Sequence, residues 1–162
     1  MRNVDLVTKS DGLGFSIHDV RAAAGLEHDL WYKNHWEANY IVAGAAIVED
    51  RLSGETWQLE PGAIYTVGPK DQHRFIAKTA VHLVSIFSPP VPIGADYDED
   101  GALAPTGPVP DGRGVMFFKT VDELREVGRE EVVAGGKRQD HQGVTARRWM
   151  RVHAIRRQTR SR

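Results

Sequence analysis

The stretch Tyr32-Lys33-Asn34-His35-Trp36-Glu37-Ala38-Asn39-Tyr40-Ile41-Val42-Ala43-Gly44 decides how the chain is read. Its second half is β-branched and aromatic, without helical period, so it reads as a strand. Glu37 stands at the entry of that strand, which must be half buried because Tyr40 and Val42 follow on an apolar run. A buried carboxylate needs a partner. Two later stretches are informative beside it: Pro61-Gly62-Ala63-Ile64-Tyr65, then Asp71-Gln72-His73.

Outward from this stretch, Gly and Pro punctuate the first 90 residues at short intervals. Strands are expected at Gly14–Val20, Asp29–Lys33, Ala38–Val42, Ala45–Arg51, Thr56–Leu59, Ile64–Val67, His73–Ala77 and Val81–Phe87. The run Glu49 to Glu55 reads as a hairpin tip, and Glu60-Pro61-Gly62 as a turn set sterically by Pro and Gly. Short strands at this spacing point to a jelly-roll sandwich or a small barrel. From Ser88 to Gly114 the texture turns Pro- and Gly-rich around the acidic Asp96-Tyr97-Asp98-Glu99-Asp100, which makes a long ordered loop or a linker. One helix is expected beyond it. Thr120-Val121-Asp122-Glu123 forms a capping box, Val121, Leu124 and Val127 share a face, and Gly135-Gly136 stops it.

At 162 residues, 41% hydrophobic and 27% charged, the chain has material for one ordinary domain and its core. No apolar run approaches the roughly 18 residues that a membrane helix needs, and the start lacks a secretory signal pattern, so a cytoplasmic location is expected. With no Cys, disulfide scaffolds, thiolate zinc sites and cysteine nucleophiles are excluded. Any metal must sit on His, carboxylate or phenolate. The net charge of −1 hides an asymmetry, because Lys137 to Arg162 holds 9 Lys and Arg against the single acid Asp140. Such a tail can meet nucleic acid, or be a solvated end or a segment laid over the acidic body. No aromatic-rich stacking surface accompanies the arginines, which disfavours nucleic acid.

Six residues separate Glu37 from Gly44, five separate Gly62 from Gly68, and His73 lies five beyond Gly68. This resembles the two-part cupin pattern, in which a Glu from one hairpin and a His from a second converge inside a barrel on one metal ion. The metal-free alternative pairs Glu37 with Lys33 or His35 and leaves His73 as a hydrogen-bonded residue beside a turn. The usual cupin His-x-His is absent, since Asp29 and Trp31 occupy those places.

Five stretches then carry a narrower resemblance: Gly12-Leu13-Gly14-Phe15-Ser16; Tyr32 to Ala38; Pro61 to Tyr65; His82-Leu83-Val84-Ser85-Ile86-Phe87-Ser88-Pro89-Pro90; and Asp98-Glu99-Asp100-Gly101. In order and spacing they resemble ectoine synthase over about residues 10 to 105. The resemblance implies a cytoplasmic, homodimeric cupin lyase that closes N-γ-acetyl-diaminobutyrate to a cyclic amidine with loss of water. It also implies a bound metal, Fe(II) first and Zn(II) second, on Glu37, Tyr65 and His73. One carboxylate, one phenolate and one imidazole make an open, hard-leaning site that suits iron. Tyr65 as a plain core tyrosine stays open beside this. Tyr32 and Arg148 are the catalytic candidates, and Ser85, Phe87, His18 and Tyr97 the substrate-binding ones. His35 and Trp36 read as packing residues.

The departures matter equally. The family's Cys is Ser85 here, its polar contacts in the first strand fall on His18 and Val20, and the Glu and His of its loop fall on Ala95 and Tyr97. The reaction type is expected to survive while the substrate changes. The family opens with a helix and a Trp- and Arg-bearing strand, whereas Met1 stands close to the Gly12–Ser16 motif. Phe118–Arg125 and Thr145–Met150 resemble that opening segment, which suggests circular permutation or exchange between subunits, with Arg148 as the guanidinium aimed at a substrate carboxylate.

The expected architecture is therefore an all-β cupin double-stranded β-helix barrel, or jelly roll, with a C-terminal helical appendage. Residues 1–110 form the barrel and its acidic Pro/Gly loop. Residues 111–162 form the helix and basic segment. The expected function is a metal-dependent lyase performing intramolecular cyclocondensation of an N-acetylated diamino acid. The alternatives are an iron cupin with oxygenase or isomerase chemistry, and a non-catalytic small-molecule-binding cupin.

Overall fold

The computed structural model describes residues 1–109, and within them the chain is β-structure apart from one 3₁₀ turn at Lys9–Asp11. The strands are β1 (Arg2–Val7), β2 (Ser16–Ala22), β3 (Glu27–Trp31), β4 (Trp36–Ala43), β5 (Ala46–Asp50), β6 (Thr56–Leu59), β7 (Ile64–Val67), β8 (Gln72–Ala77) and β9 (Val81–Ser88). They form a five-stranded sheet ordered β1-β2-β9-β4-β7 and a four-stranded sheet ordered β3-β8-β5-β6. Every pairing among the described strands is antiparallel. Val20, Ile41, Val67 and Leu83 from the first sheet join Leu30, Val48, Leu59 and Phe75 from the second in one buried cluster. This is the cupin jelly roll, with the core between two antiparallel sheets.

The turns follow their residues. Asp50 closes the β5–β6 tip by accepting from Leu52 N at Oδ1 (2.9 Å) and from Ser53 Oγ at Oδ2 (2.8 Å). Gly62, at φ +89°, lets Ala63 N reach Glu60 O at 2.9 Å between β6 and β7. Gly44, at φ +87°, carries the chain from one sheet to the other against Ala80. A Cβ there would lie 2.2 Å from Ala80 O, so only glycine fits.

Two expectations need correction. The first concerns β4. Tyr40 and Val42 are each 41% exposed, while Glu37, Asn39 and Ile41 are buried. Apolar residues stand on both faces of the strand, and the second sheet packs on the odd-numbered one, which also carries Glu37 and Asn39. Ile86 of β9 lies on the same outer face, opposite Ala38.

The second concerns β1, a strand not expected at Arg2–Val7. Its pattern is inverted: Val4 and Leu6 face outward, exposed, while Asn3 and Asp5 lie opposite Val20 and His18. The inner face of this edge strand borders a cavity rather than the core, so alternation did not mark it as a half-buried strand. A strand therefore does precede the Gly12–Ser16 motif.

Beyond β9 the Pro/Gly segment is a loop tied to the barrel. Val91 N donates to Ser16 Oγ (2.9 Å), Asn34 Nδ2 to Leu103 O (2.8 Å) and Thr106 Oγ1 to Pro90 O (2.7 Å). Lys33 pairs with Asp100 and, at 3.6 Å, with Asp98. The helix expected after Thr120 and the basic segment with Arg148 lie outside the described residues.

Candidate metal centre and substrate cavity

Register builds the site. Across the inner face of the five-stranded sheet, His18 of β2 lies opposite Ser85 of β9, Ser85 opposite Asn39 of β4, and Asn39 opposite Tyr65 of β7. The adjoining row runs Ser16, Phe87, Glu37, Val67. Side chains on one face recur every second residue, so Glu37 and Asn39 point into the same interior.

From the other sheet, His73 on β8 and Tyr32 just after β3 meet these rows. Ring centroids are 6.4 Å apart for Tyr65 and His73, 5.8 Å for Tyr32 and His73, and 5.1 Å for Tyr32 and Phe87. Tyr32, Glu37, Asn39, Tyr65, Ser85 and Phe87 all line one cavity of about 260 Å³. His73 is fully buried and is not on that wall. An adjoining cavity of about 230 Å³ shares Asn3, His18, Phe87, Ala95 and Tyr97 with the first and adds Asp5.

The interior holds polar atoms that the protein does not satisfy. Among the described residues, Glu37 Oε2, His73 Nε2, Asn39 Nδ2 and His35 Nδ1 are buried without a hydrogen-bond partner. Such atoms are costly to bury. Burial pushes the Glu37 carboxyl up to about 7, with Asn39 and Ser85 holding it back from rising further. Burial likewise brings His73 down to about 4, keeping it neutral. His73 Nδ1 lies 3.5 Å from Asp71 O, a long contact that places the proton on Nδ1 and the lone pair on Nε2. Burial, then the Glu37 charge, raises the Tyr32 and Tyr65 phenols well above their usual range.

Neither alternative partner is hydrogen-bonded to Glu37. Lys33 pairs with Asp100, and His35 Nε2 lies 3.3 Å from Thr106 Oγ1 while its ring edge meets Phe87. Asp29, in the place of a cupin histidine, pairs outward with Arg74 through two hydrogen bonds of 2.9 and 2.6 Å. Trp31 donates to Pro69 O (2.8 Å).

A family model described as ectoine synthase matches residues 1–106. The chain belongs to the ectoine synthase family. An L-ectoine synthase of Desulfatibacillum aliphaticivorans is 43% identical over 97 residues, covering 60% of this chain and 75% of that one. One from Shouchella clausii is 40% identical over 101 residues, covering 62% and 75%. The crystal structure of ectoine synthase from P. lautus superposes with a TM-score of 0.53 at 36% identity, over 56% of this chain and 64% of that one, just under two thirds of its length.

In this ectoine synthase relative, the five positions read as departures from the resemblance, His18, Val20, Ser85, Ala95 and Tyr97, all line the larger cavity. Sequence reasoning missed Asn39, although a polar residue two places after Glu37 was a usable signal. It also missed Asn3 and Asp5, because β1 was not expected.

Proposed function

We propose that this protein is a metal-dependent cyclising dehydratase that closes an N-acylated diamino acid, N-γ-acetyl-diaminobutyrate or a relative, to a cyclic amidine. Glu37, Tyr65 and His73 would hold the metal, Fe(II) by preference and Zn(II) second. The single observation that carries this is the pair of unsatisfied buried atoms, Glu37 Oε2 and His73 Nε2, beside the Tyr65 ring. The Nδ1 contact of His73 with a backbone carbonyl is the outer-shell support expected of a ligating imidazole.

A bound divalent ion would supply Lewis-acid polarisation of an amide carbonyl. The side chains do the rest. The cavity folds the substrate so that its amine lies against its own amide carbon, which makes the attack intramolecular. A carbon–nitrogen bond forms, the carbonyl oxygen departs as water, and the amine nitrogen gives up the two hydrogens that water carries away. Tyr32, kept protonated by burial, passes its Oη hydrogen to the departing oxygen and recovers one of the two hydrogens that the amine gives up, so the phenol is restored. Phe87 and Tyr32, edge to face, restrict bulk water at the reacting end.

A cytoplasmic homodimer is part of this proposal. The exposed Tyr40, Val42 and Ile86 on the outer sheet face support association. No helix among the described residues is long and apolar enough to cross a membrane. The changed cavity wall favours, as a second reading, a cupin that binds a small molecule without turnover.

Elemental analysis of the purified 162-residue chain beside Glu37→Ala, Tyr65→Phe and His73→Ala tests the site. About one metal per chain, lost in the variants while strand content is retained, supports it; metal retained in all three overturns it. Incubation of the Fe(II)-loaded protein with N-γ-acetyl-diaminobutyrate, followed by NMR, then separates turnover from binding alone.

A further inference from the structure

The smaller cavity ends in a hydrogen-bonded chain that the reaction described above does not use. His18 Nδ1 lies 2.9 Å from Asp5 Oδ1, and His18 Nε2 lies 3.0 Å from Ser16 Oγ. The Asp5 carboxylate only accepts, so His18 Nδ1 carries the proton and donates to it. Ser16 Oγ, which accepts from Val91 N (2.9 Å), has its own hydrogen to offer to the Nε2 lone pair. Asn3 Nδ2 also donates to Asp5 Oδ1, at 3.3 Å. Both hydrogen bonds to Asp5 converge on Oδ1, and the carboxylate, 24% exposed, lines the smaller cavity with Oδ2 unused by either.

No Lys or Arg lines either cavity among the described residues. Several cations of the barrel pair with acids instead: Arg21 with Asp19, Arg51 with Glu49, Arg74 with Asp29 and Lys33 with Asp100. A substrate carboxylate brought to this end would meet the Asp5 charge in a partly desolvated space. Like charge is repulsive there, and no described Lys or Arg on the wall offsets it. A hydrogen-bond donor, neutral or cationic, fits instead.

We propose that the cavity end built by Asp5, Asn3, His18 and Tyr97 selects a substrate bearing a hydrogen-bond donor, such as a primary amide or an amine, where N-γ-acetyl-diaminobutyrate bears its carboxylate. The inference rests on the cyclising reading above, which fixes the acyl diamine skeleton. It makes Asp5 the specificity-determining residue and assigns the reaction to Glu37, Tyr65 and His73 at the other end.

The test compares N-γ-acetyl-diaminobutyrate with its α-carboxamide, which differs only at the carboxyl carbon. Binding to the Fe(II)-loaded 162-residue chain is read by anaerobic calorimetry, and turnover separately by NMR. The expected result is about tenfold tighter binding of the amide than of the acid, a size typical of recognition lost at one group. Asp5→Asn, with unchanged metal content and melting temperature, should bring the two affinities together. Tighter or equal binding of the acid by the unmutated protein overturns the inference, as does an amide preference untouched by Asp5→Asn, or no binding of either. An Asp5-dependent amide preference without cyclisation leaves the inference standing and overturns the dehydratase reading instead.

Discussion

Ser85 donates its hydroxyl hydrogen to Asn39 Oδ1 across the β4–β9 register, and so turns the Asn39 amide nitrogen, which has no partner of its own, toward the interior that Glu37 occupies. The pair sits between the recognition end of the cavity and the proposed metal ligands. Glu37 is ionised more easily because of these two neighbours.

Asn39→Leu and Ser85→Ala should therefore weaken metal binding at neutral pH. Without the amide donor the Glu37 carboxyl rises further, and a ligand must lose its proton to bind. The pH at which half the protein is metal-loaded should move upward in Asn39→Leu, by more than in Ser85→Ala. A titration of Fe(II) or Zn(II) between pH 6 and 8 checks this; an unmoved midpoint counts against it.

The metal-free protein should have an unusually flat acid stability profile. Glu37 rises from its ordinary 4.5 to about 7, so it favours folding below 4.5 and loses that contribution as pH climbs to 7. His73 falls from 6.5 to about 4, so it costs stability at low pH and that cost disappears as pH rises from 4 to 6.5. Each swing is about 3 kcal/mol, and the two oppose between pH 4.5 and 6.5. Glu37→Gln should leave stability rising across that interval, and His73→Gln should leave it falling. Urea denaturation of chelator-treated protein from pH 4 to 8 measures all three, and parallel profiles would sink the assignment.

Two glycines separate backbone conformation from space. Gly44→Ala must push a Cβ into Ala80 O and Val81 Cα while holding φ at +87°, and should cost about 3 kcal/mol or more. Gly12→Ala has φ +70° with nothing within 4 Å, and should cost about 1 kcal/mol. Chemical denaturation at one pH compares them.

The phase of β4 can be read from two aliphatic truncations. Ile41 is 0% exposed and Val42 41%, so Ile41→Ala should cost about 2–5 kcal/mol and Val42→Ala under about 1 kcal/mol in the monomer. A similar loss at both sites would place both faces in contact with protein, as a dimer through the outer sheet face does. Repeating the measurement over a range of protein concentrations separates these cases.

Eight of the nine strands were legible in the sequence to within a few residues, as were the Glu49–Glu55 tip and the Glu60-Pro61-Gly62 turn. These are set by short-range sterics: Gly and Pro punctuation, β-branching and turn chemistry act within a few residues. The spacing marked Glu37 and His73, and Tyr65 was named by the family resemblance alone. Only the tertiary structure decided which face of β4 turns inward, because Tyr40, Ile41 and Val42 are all apolar and the choice belongs to the sheet that covers them. The same holds for β1, whose inner face borders a cavity, and for the row of His18, Ser85, Asn39 and Tyr65, drawn from four strands. Residues that distant in sequence become neighbours through register alone, and register is fixed by burial on the whole sheet rather than by any local pattern.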